Sequence, residues 1–238
     1  MKTLIFPDLH EPPQPVFDRI ETIIADEHAD RIVFLGDYFD QFHDTPSDAE
    51  RTAKWLVQSL TDPRRTHIIG NHDASYLWLV DSTFCPGFTW EKANVIRDVL
   101  GEDSKGKFLF HTWVDGWLLT HAGLSADWVT VPVDLLPKWI ENEGKAARSA
   151  FDHGKHHWFA EVGRTRGGLR PAGGILWCDH LELAPISEVR QIYGHTPAAE
   201  PRWEGSNHLC LDTADRNGPQ HFALIDRGAV KVRKLDGS

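Results

Sequence analysis

The sequence predicts an α/β fold resting on parallel strands. Between residues 2 and 69, short apolar runs alternate with amphipathic stretches, a pattern that builds strands joined by right-handed crossovers. Five apolar runs along the chain end in polar blocks rich in Asp, His, Asn and Gly. The length of 238 residues, with 41% hydrophobic and 25% charged, suits one large domain, residues 1–238, able to bury a substantial core.

Taken in order, Lys2 to Phe6 reads as a short buried strand, and the proline-rich Glu11 to Pro15 as a loop. Val16, Phe17, Ile20, Ile23 and Ile24 recur at helical spacing, predicting a helix from Val16 to Glu27. Arg31 to Leu35 is strand-like. Pro46 to Leu60 is a second amphipathic helix, with Pro46 suited to its first turn. Thr66 to Ile69 is a third strand, and helices are expected at Ala74–Val80 and Trp90–Leu100. Phe108–Val114 and Trp117–Thr120 flank Asp115-Gly116, a two-residue hairpin signal. Leu135 to Phe159 reads as helical, and Gly163–Gly174, rich in Gly and Arg, as a loop. Asn207–Leu211, His221–Asp226 and Ala229–Lys234 read as antiparallel strands. One domain with a helical insertion at about residues 124–174 accounts for the pattern.

Composition narrows the function. The formal charge is -10, which opposes the basic surface that non-specific nucleic-acid binding needs, so nucleic acid is not expected as a partner. Cys85, Cys178 and Cys210 are scattered and odd in number, without the CxxC spacing of a thiolate zinc site. The opening Met1–Asp8 meets a charge too soon for a signal peptide, and no run approaches the roughly 20 apolar residues of a membrane helix. A cytoplasmic location follows by default, with no membrane partner.

The informative residues sit where the apolar runs stop. Asp8-Leu9-His10 follows Leu4–Phe6, Gly36-Asp37-Tyr38-Phe39-Asp40 follows Ile32–Leu35, and Gly70-Asn71-His72-Asp73 follows Ile68-Ile69. His121-Ala122-Gly123 follows Leu118–Thr120, and Gly194-His195-Thr196-Pro197 follows Ile192-Tyr193. A strand presents the residue after its C-terminal end on the sheet rim, where ligands bind. Each block has a plainer reading alone: Asp8 in a turn, His10 on the surface, Asp37 and Asp40 as caps, Asn71–Asp73 as a helix start. Five ends carrying one ligand chemistry favour a single site. Asp, His and Asn are hard or borderline donors, suited to Mn²⁺, Fe or Zn²⁺.

As an ordered set the blocks resemble the calcineurin-like metallophosphoesterases, whose pattern is Asp-x-His, Gly-Asp-x-x-Asp, Gly-Asn-His-Asp/Glu, a lone His, and Gly-His-Thr. The resemblance spans residues 5–213. Gly36–Asp40 and Leu176-Trp177-Cys178-Asp179 are similar to segments of the phosphoprotein-phosphatase branch and its diadenosine-tetraphosphatase relatives. The resemblance implies a four-layer αββα sandwich of two mixed β-sheets flanked by helices. It implies two divalent ions, with Mn²⁺ first and Fe or Zn²⁺ as alternatives. Asp8, His10 and Asp37 would hold one ion; Asp37, Asn71, His121 and His195 would hold the other, with Asp37 bridging. A water shared by the ions would attack phosphorus in line as hydroxide, His72 would protonate the leaving oxygen, and Asp40 would orient His72.

The chain also departs from that branch. Gln41-Phe42 stands where Arg-Gly follows the aspartate, Asp73 replaces a Glu, and Thr196-Pro197 follows His195 where many phosphodiesterases carry a second His. Without the phosphate-gripping Arg, candidates are Arg164, Arg166 and Arg170 in the Gly-Arg loop, and Arg190; the loop reads equally as a solvated segment or a phosphate clamp. The expected function is hydrolysis of phosphomonoesters on a phosphoprotein or small phosphometabolite, so a phosphorylated substrate is the expected partner. The alternatives are a dinucleoside polyphosphate hydrolase or phosphodiesterase, and a catalytically silent scaffold. His28, His43, His67, His111, His153, His156, His157, His180, His208 and His221 are assigned to surface or loops; Trp128, Trp139 and Trp158 to packing of the insertion; Asp212 to a structural role.

Overall fold

The computed structural model describes residues 1–41, 43–215 and 217–236; Phe42 lies outside the described residues. Strands β1 (Lys2–Phe6), β2 (Arg31–Phe34) and β3 (Arg65–Ile68) alternate with helices α1 (Gln14–Glu27) and α2 (Pro46–Ser59). They pair in parallel, as the alternation of runs predicts. Thr45 caps α2 in a reciprocal box with Asp48, and Pro46 occupies the first turn, where its missing N–H costs nothing. After β3 come α3 (Asn71–Trp78), α4 (Trp90–Leu100), β4 (Phe108–Leu109), β5 (His111–Val114) and β6 (Trp117–Thr120). Helix α5 (Leu136–Asp152) and strands β7 (Arg190–Tyr193), β8 (Arg202–Glu204), β9 (His208–Cys210), β10 (His221–Asp226) and β11 (Ala229–Lys234) complete the order.

The strands form two mixed sheets. The first runs β11-β10-β1-β2-β3-β4 and the second β5-β6-β7-β9-β8. In each, the central strands are parallel, β1-β2-β3 and β6-β7-β9, while β10, β11, β5 and β8 pair antiparallel at the flanks. Strand alternation sorts the core. Ile5, Val33, Leu35 and Ile68 of the first sheet share a buried cluster with Trp117, Leu119, Ile192 and Leu209 of the second. Leu4, Phe6, Ile32 and Phe34, on the opposite face, join Phe17, Ile20 and Ile24 of α1 and Ala53 and Leu56 of α2. Beyond the second sheet, Tyr193 and Cys210 cluster with Ala122, Ala172, Cys178 and Leu183, so an irregular segment covers much of that face.

Several expectations need correction. Phe108–Val114 is not one strand: β4 pairs with β3 in the first sheet, and β5 pairs with β6 in the second. The chain changes sheets at Phe110, which is buried. Local hydrophobicity is the same in both sheets, so the break leaves no sequence mark. The hairpin at Asp115-Gly116 is present, with both residues at positive φ, as a type I′ turn requires. Helix α5 stops at Asp152 rather than Phe159, and Gly154, at φ 67°, turns the chain away. The rest of the insertion contains only short 3₁₀ turns at residues 126–128, 133–135, 158–160 and 164–166. Trp158 stacks on Trp128 at 4.9 Å and on Trp139 at 5.8 Å, which packs this region.

Three histidines assigned to surface or loops are buried on strands: His67, His208 and His221. His67 lies between the Tyr38 hydroxyl and the Ser59 hydroxyl, each at 3.0 Å, and burial pushes its imidazole down to about 3. Polar partners on both ring nitrogens let a histidine occupy the core uncharged.

Candidate metal centre

The six expected ligand residues come from the carboxyl ends of five central strands. Asp8 and His10 follow β1, Asp37 follows β2, Asn71 opens α3 after β3, His121 follows β6, and His195 follows β7. Because both sheets are parallel at their centres, these ends meet on one rim. Backbone strain concentrates there: His10, Asp37, Asp40 and His195 all have positive φ, between 48° and 69°. Non-glycine residues hold that conformation only where their surroundings dictate it, often at functional sites.

The loops touch, and glycine permits it. A Cβ on Gly70 would lie 2.0 Å from Asp37 Oδ1, and one on Gly194 would lie 1.9 Å from Asp8 Oδ1. Asp73 ties two loops together, since its carboxylate accepts from the N–H groups of Asp37, Tyr38 and Gly70, all at 2.8 Å. Burial and the nearby Asp37 push the Asp73 carboxyl up to about 7. Asn71, His72 and Asp73 form the first turn of α3, so this helix begins three residues earlier than expected and Asp73 supplies its cap.

The donor atoms converge in two overlapping sets. One joins Asp37, His121 and His195, and the other Asp8, His10 and Asp37; within each set the ligand atoms lie within 4.8 Å of one another. His121 Nε2 is 2.9 Å from Asn71 Oδ1, 3.2 Å from His195 Nδ1 and 3.4 Å from Asp37 Oδ2. His10 Nε2 is 3.7 Å from the same Asp37 Oδ2. Asp37 therefore stands between the two sets.

Surrounding groups orient these donors. His121 Nδ1 sits 3.0 Å from the Leu35 carbonyl and His10 Nδ1 sits 2.9 Å from the Asp40 carbonyl. Each Nδ1–H donates to its carbonyl, leaving Nε2 with a lone pair for a cation. Asn71 Nδ2 donates to Cys85 Sγ at 3.3 Å, which turns Oδ1 toward the cluster. Charge makes the same case for a cation. Burial alone would lower the His121 imidazole, but the Asp37 and Asp8 carboxylates push it up to about 10. His195 is held well below its ordinary value by burial and by its neighbour His121. Crowded lone pairs in a buried anionic field fit a divalent cation, which competes with protons for the same ligands.

Beside this cluster lies the pair expected to handle protons. His72 Nδ1 is 2.8 Å from Asp40 Oδ2. The opposite oxygen, Asp40 Oδ1, accepts from the Tyr76 hydroxyl and from Lys92 Nζ. Burial pushes the Asp40 carboxyl up, but hydrogen bonds from His72, Lys92 and Tyr76 outweigh it and hold the group below the usual carboxylate range. Tyr76, Lys92 and Cys85 were not anticipated. Tyr76 carries a sequence signal, since it is four residues after His72 on one helix and so shares its face. Lys92 and Cys85 carry none.

The four candidate arginines separate. Arg166 is at the site: its Nε donates to Asp179 at 2.9 Å, and its Nη2 donates to the His195 carbonyl at 3.1 Å. Trp177, from the same Leu-Trp-Cys-Asp segment, lies edge-on to His195 at 5.6 Å. Arg164 is exposed, and Arg170 pairs with Glu161 at 3.6 Å and faces Trp128. Arg190 requires correction. It begins β7, at the strand end opposite His195, where it donates to the Asp115 carbonyl at 2.7 Å and covers Trp117. Proximity to His195 in sequence misled, because a strand separates its two ends in space.

Fold and donor set together define a metal-dependent phosphoric ester hydrolase. The chain belongs to the calcineurin-like phosphoesterase family, whose model matches residues 1–223. No curated protein matches the sequence. Solved structures share the fold at low identity. A cold-active protein-tyrosine phosphatase of the psychrophile Shewanella sp. is 14% identical, with TM-score 0.66, covering 100% of this chain and 78% of that one. A serine/threonine phosphatase from Saccharomyces cerevisiae, similar to human phosphatase PP5, is 11% identical, with TM-score 0.55, covering 98% and 80%. A diadenosine tetraphosphatase candidate is 16% identical, with TM-score 0.52, covering 98% and 93%. Among the described residues, no helix is long and apolar enough to cross a membrane.

Proposed function

We propose that the protein hydrolyses phosphomonoesters, on a phosphoprotein or a small phosphometabolite, by direct in-line attack of water. Asp8, His10 and Asp37 would hold one divalent cation, and Asp37, Asn71, His121 and His195 a second; the mixed carboxylate, imidazole and amide donors suit Mn²⁺, Fe or Zn²⁺, and the family resemblance puts Mn²⁺ first. The observation that carries this reading is the approach of Asn71 Oδ1, His195 Nδ1 and Asp37 Oδ2 to one His121 nitrogen, with His72 and Asp40 alongside. When bound, such a pair of cations supplies Lewis acidity to phosphoryl oxygens and acidifies water.

The chain's own residues supply the rest. Asp40 accepts the His72 Nδ1–H and so orients the ring, leaving Nε2 as the atom that would pass a proton to the leaving oxygen. Arg166, fixed by Asp179 and the His195 carbonyl, brings a candidate guanidinium to the rim, where it would bind phosphoryl oxygen. Pro197 stands where many phosphodiesterases carry a second His, and its side chain offers no ligand atom. This supports the monoester reading over the diester one. The three cysteines are buried free thiols, which supports a reducing, cytoplasmic setting.

The test is a comparison of an aryl phosphomonoester, its diester and a dinucleoside tetraphosphate in Mn²⁺. The monoester should turn over fastest. Faster cleavage of the diester or the tetraphosphate would overturn the proposed preference.

A further inference from the structure

Lys92 belongs to α4, and 52 residues separate it from Asp40 in sequence. Its side chain is only 3% exposed, and its ammonium bridges Asp40 Oδ1 at 2.6 Å and Asp44 Oδ2 at 2.7 Å. The Tyr76 hydroxyl donates to the same Asp40 oxygen, whereas Oδ2 is left to His72. A carboxylate has a broad, roughly two-fold torsion at its end, so a single partner does not fix its plane. Lys92 and Tyr76 on one oxygen remove that freedom.

A buried ammonium is a costly way to gain stability, because desolvation offsets much of its attraction to carboxylates. Other side chains would fill the space between α4 and the Asp40 loop at less cost. What a cation adds here is direction: it holds Asp40 in one orientation, and Asp40 in turn aims His72. Gly87 closes the same pocket from another side, since a Cβ there would lie 3.0 Å from Asp40 Cγ.

We propose that Lys92 is a positioning residue for the proton donor, acting through Asp40 to hold the His72 ring toward the leaving group. This inference rests on the function proposed above. It predicts that loss of Lys92 harms reactions in proportion to their need for a proton.

The experiment compares the Mn²⁺-loaded wild type with Lys92→Met on phenyl phosphate, a poor leaving group, and dinitrophenyl phosphate, a good one. Phenyl phosphate turnover should fall about 10²-fold or more, within the usual range for general acid catalysis, and dinitrophenyl phosphate turnover by only about 3-fold. Metal content should stay at the wild-type level. Equal losses on both substrates, or wild-type rates on both, would overturn the inference and leave Lys92 a purely structural ion pair. If Lys92→Met does not fold, the double variant Lys92→Met/Asp44→Asn removes one charge of each sign and gives the same reading. Wild-type hydrolysis and the leaving-group dependence of His72→Asn report separately on the underlying function, so the two failures are distinguishable.

Discussion

The backbone N–H of His195 donates to the carboxylate of Asp8, 187 residues away, with Oδ2 at 3.0 Å and Oδ1 at 3.1 Å. This contact joins the end of β7 in one sheet to the end of β1 in the other, and it brings together a residue from each ligand set. It exists because position 194 has no side chain. Gly194→Ala would place a Cβ 1.9 Å from Asp8 Oδ1. The variant should lose about 1–3 kcal/mol of stability, as overpacked sites do, together with most of its metal. Thermal melts and metal analysis of the purified variant check this; a variant that melts and binds metal like the wild type would refute it.

The role of Asp37 should separate from that of His72. Asp37→Asn removes the charge between the two donor sets, so metal content and turnover should fall together. His72→Asn should keep its metals yet slow turnover by roughly 10²–10⁴-fold, with the deficit shrinking on good leaving groups. Metal analysis beside a leaving-group series distinguishes them. A uniform deficit across that series would reject the acid role of His72.

Position relative to the rim should decide which arginine matters. Arg166→Ala should raise KM for a phosphomonoester about 10-fold, the effect of losing one charge-assisted contact of roughly 1.4 kcal/mol. Arg190→Ala should leave kcat/KM unchanged, because Arg190 sits at the far end of β7 against Asp115 and Trp117. Steady-state kinetics of the two variants test the contrast, and a kinetic defect in Arg190→Ala would contradict it.

Acid should weaken the fold through His67. Unfolded, its imidazole protonates near 6.5; folded, it stays neutral down to about 3. Below pH 6.5 the unfolded chain therefore binds the extra proton, and stability falls as pH drops toward 3. Each unit is worth about 1.4 kcal/mol at most, so pH 5 should cost on the order of 2 kcal/mol relative to pH 7. His67→Gln, which stays uncharged, should show a flatter acid limb in urea titrations. An identical limb would assign the acid sensitivity to other groups.

Much of this site is legible in the chain because the chemistry sits at the ends of regular elements. Leu4–Phe6, Ile32–Leu35 and Ile68-Ile69 announce strands, and the residue types just beyond them announce a cation site. His67 shows the limit of that reading. A histidine inside a strand pattern looks like a surface residue until Tyr38 and Ser59, from other elements, are seen to satisfy it. The division of Phe108–Val114 between two sheets is likewise invisible locally, since either sheet accepts an apolar strand.

By itself the sequence determined the alternation of strands and helices, the parallel centre of the first sheet and the order of the candidate donor residues, because hydrophobic period and donor chemistry are local properties. Only the tertiary structure decided which atoms meet: that Asp37 lies between two donor sets, that Arg166 and not Arg190 reaches the rim, and that Lys92 grips the oxygen of Asp40 turned away from His72. Those relationships depend on crossovers and sheet packing. They bring together segments whose separation along the chain carries no record of their distance in space.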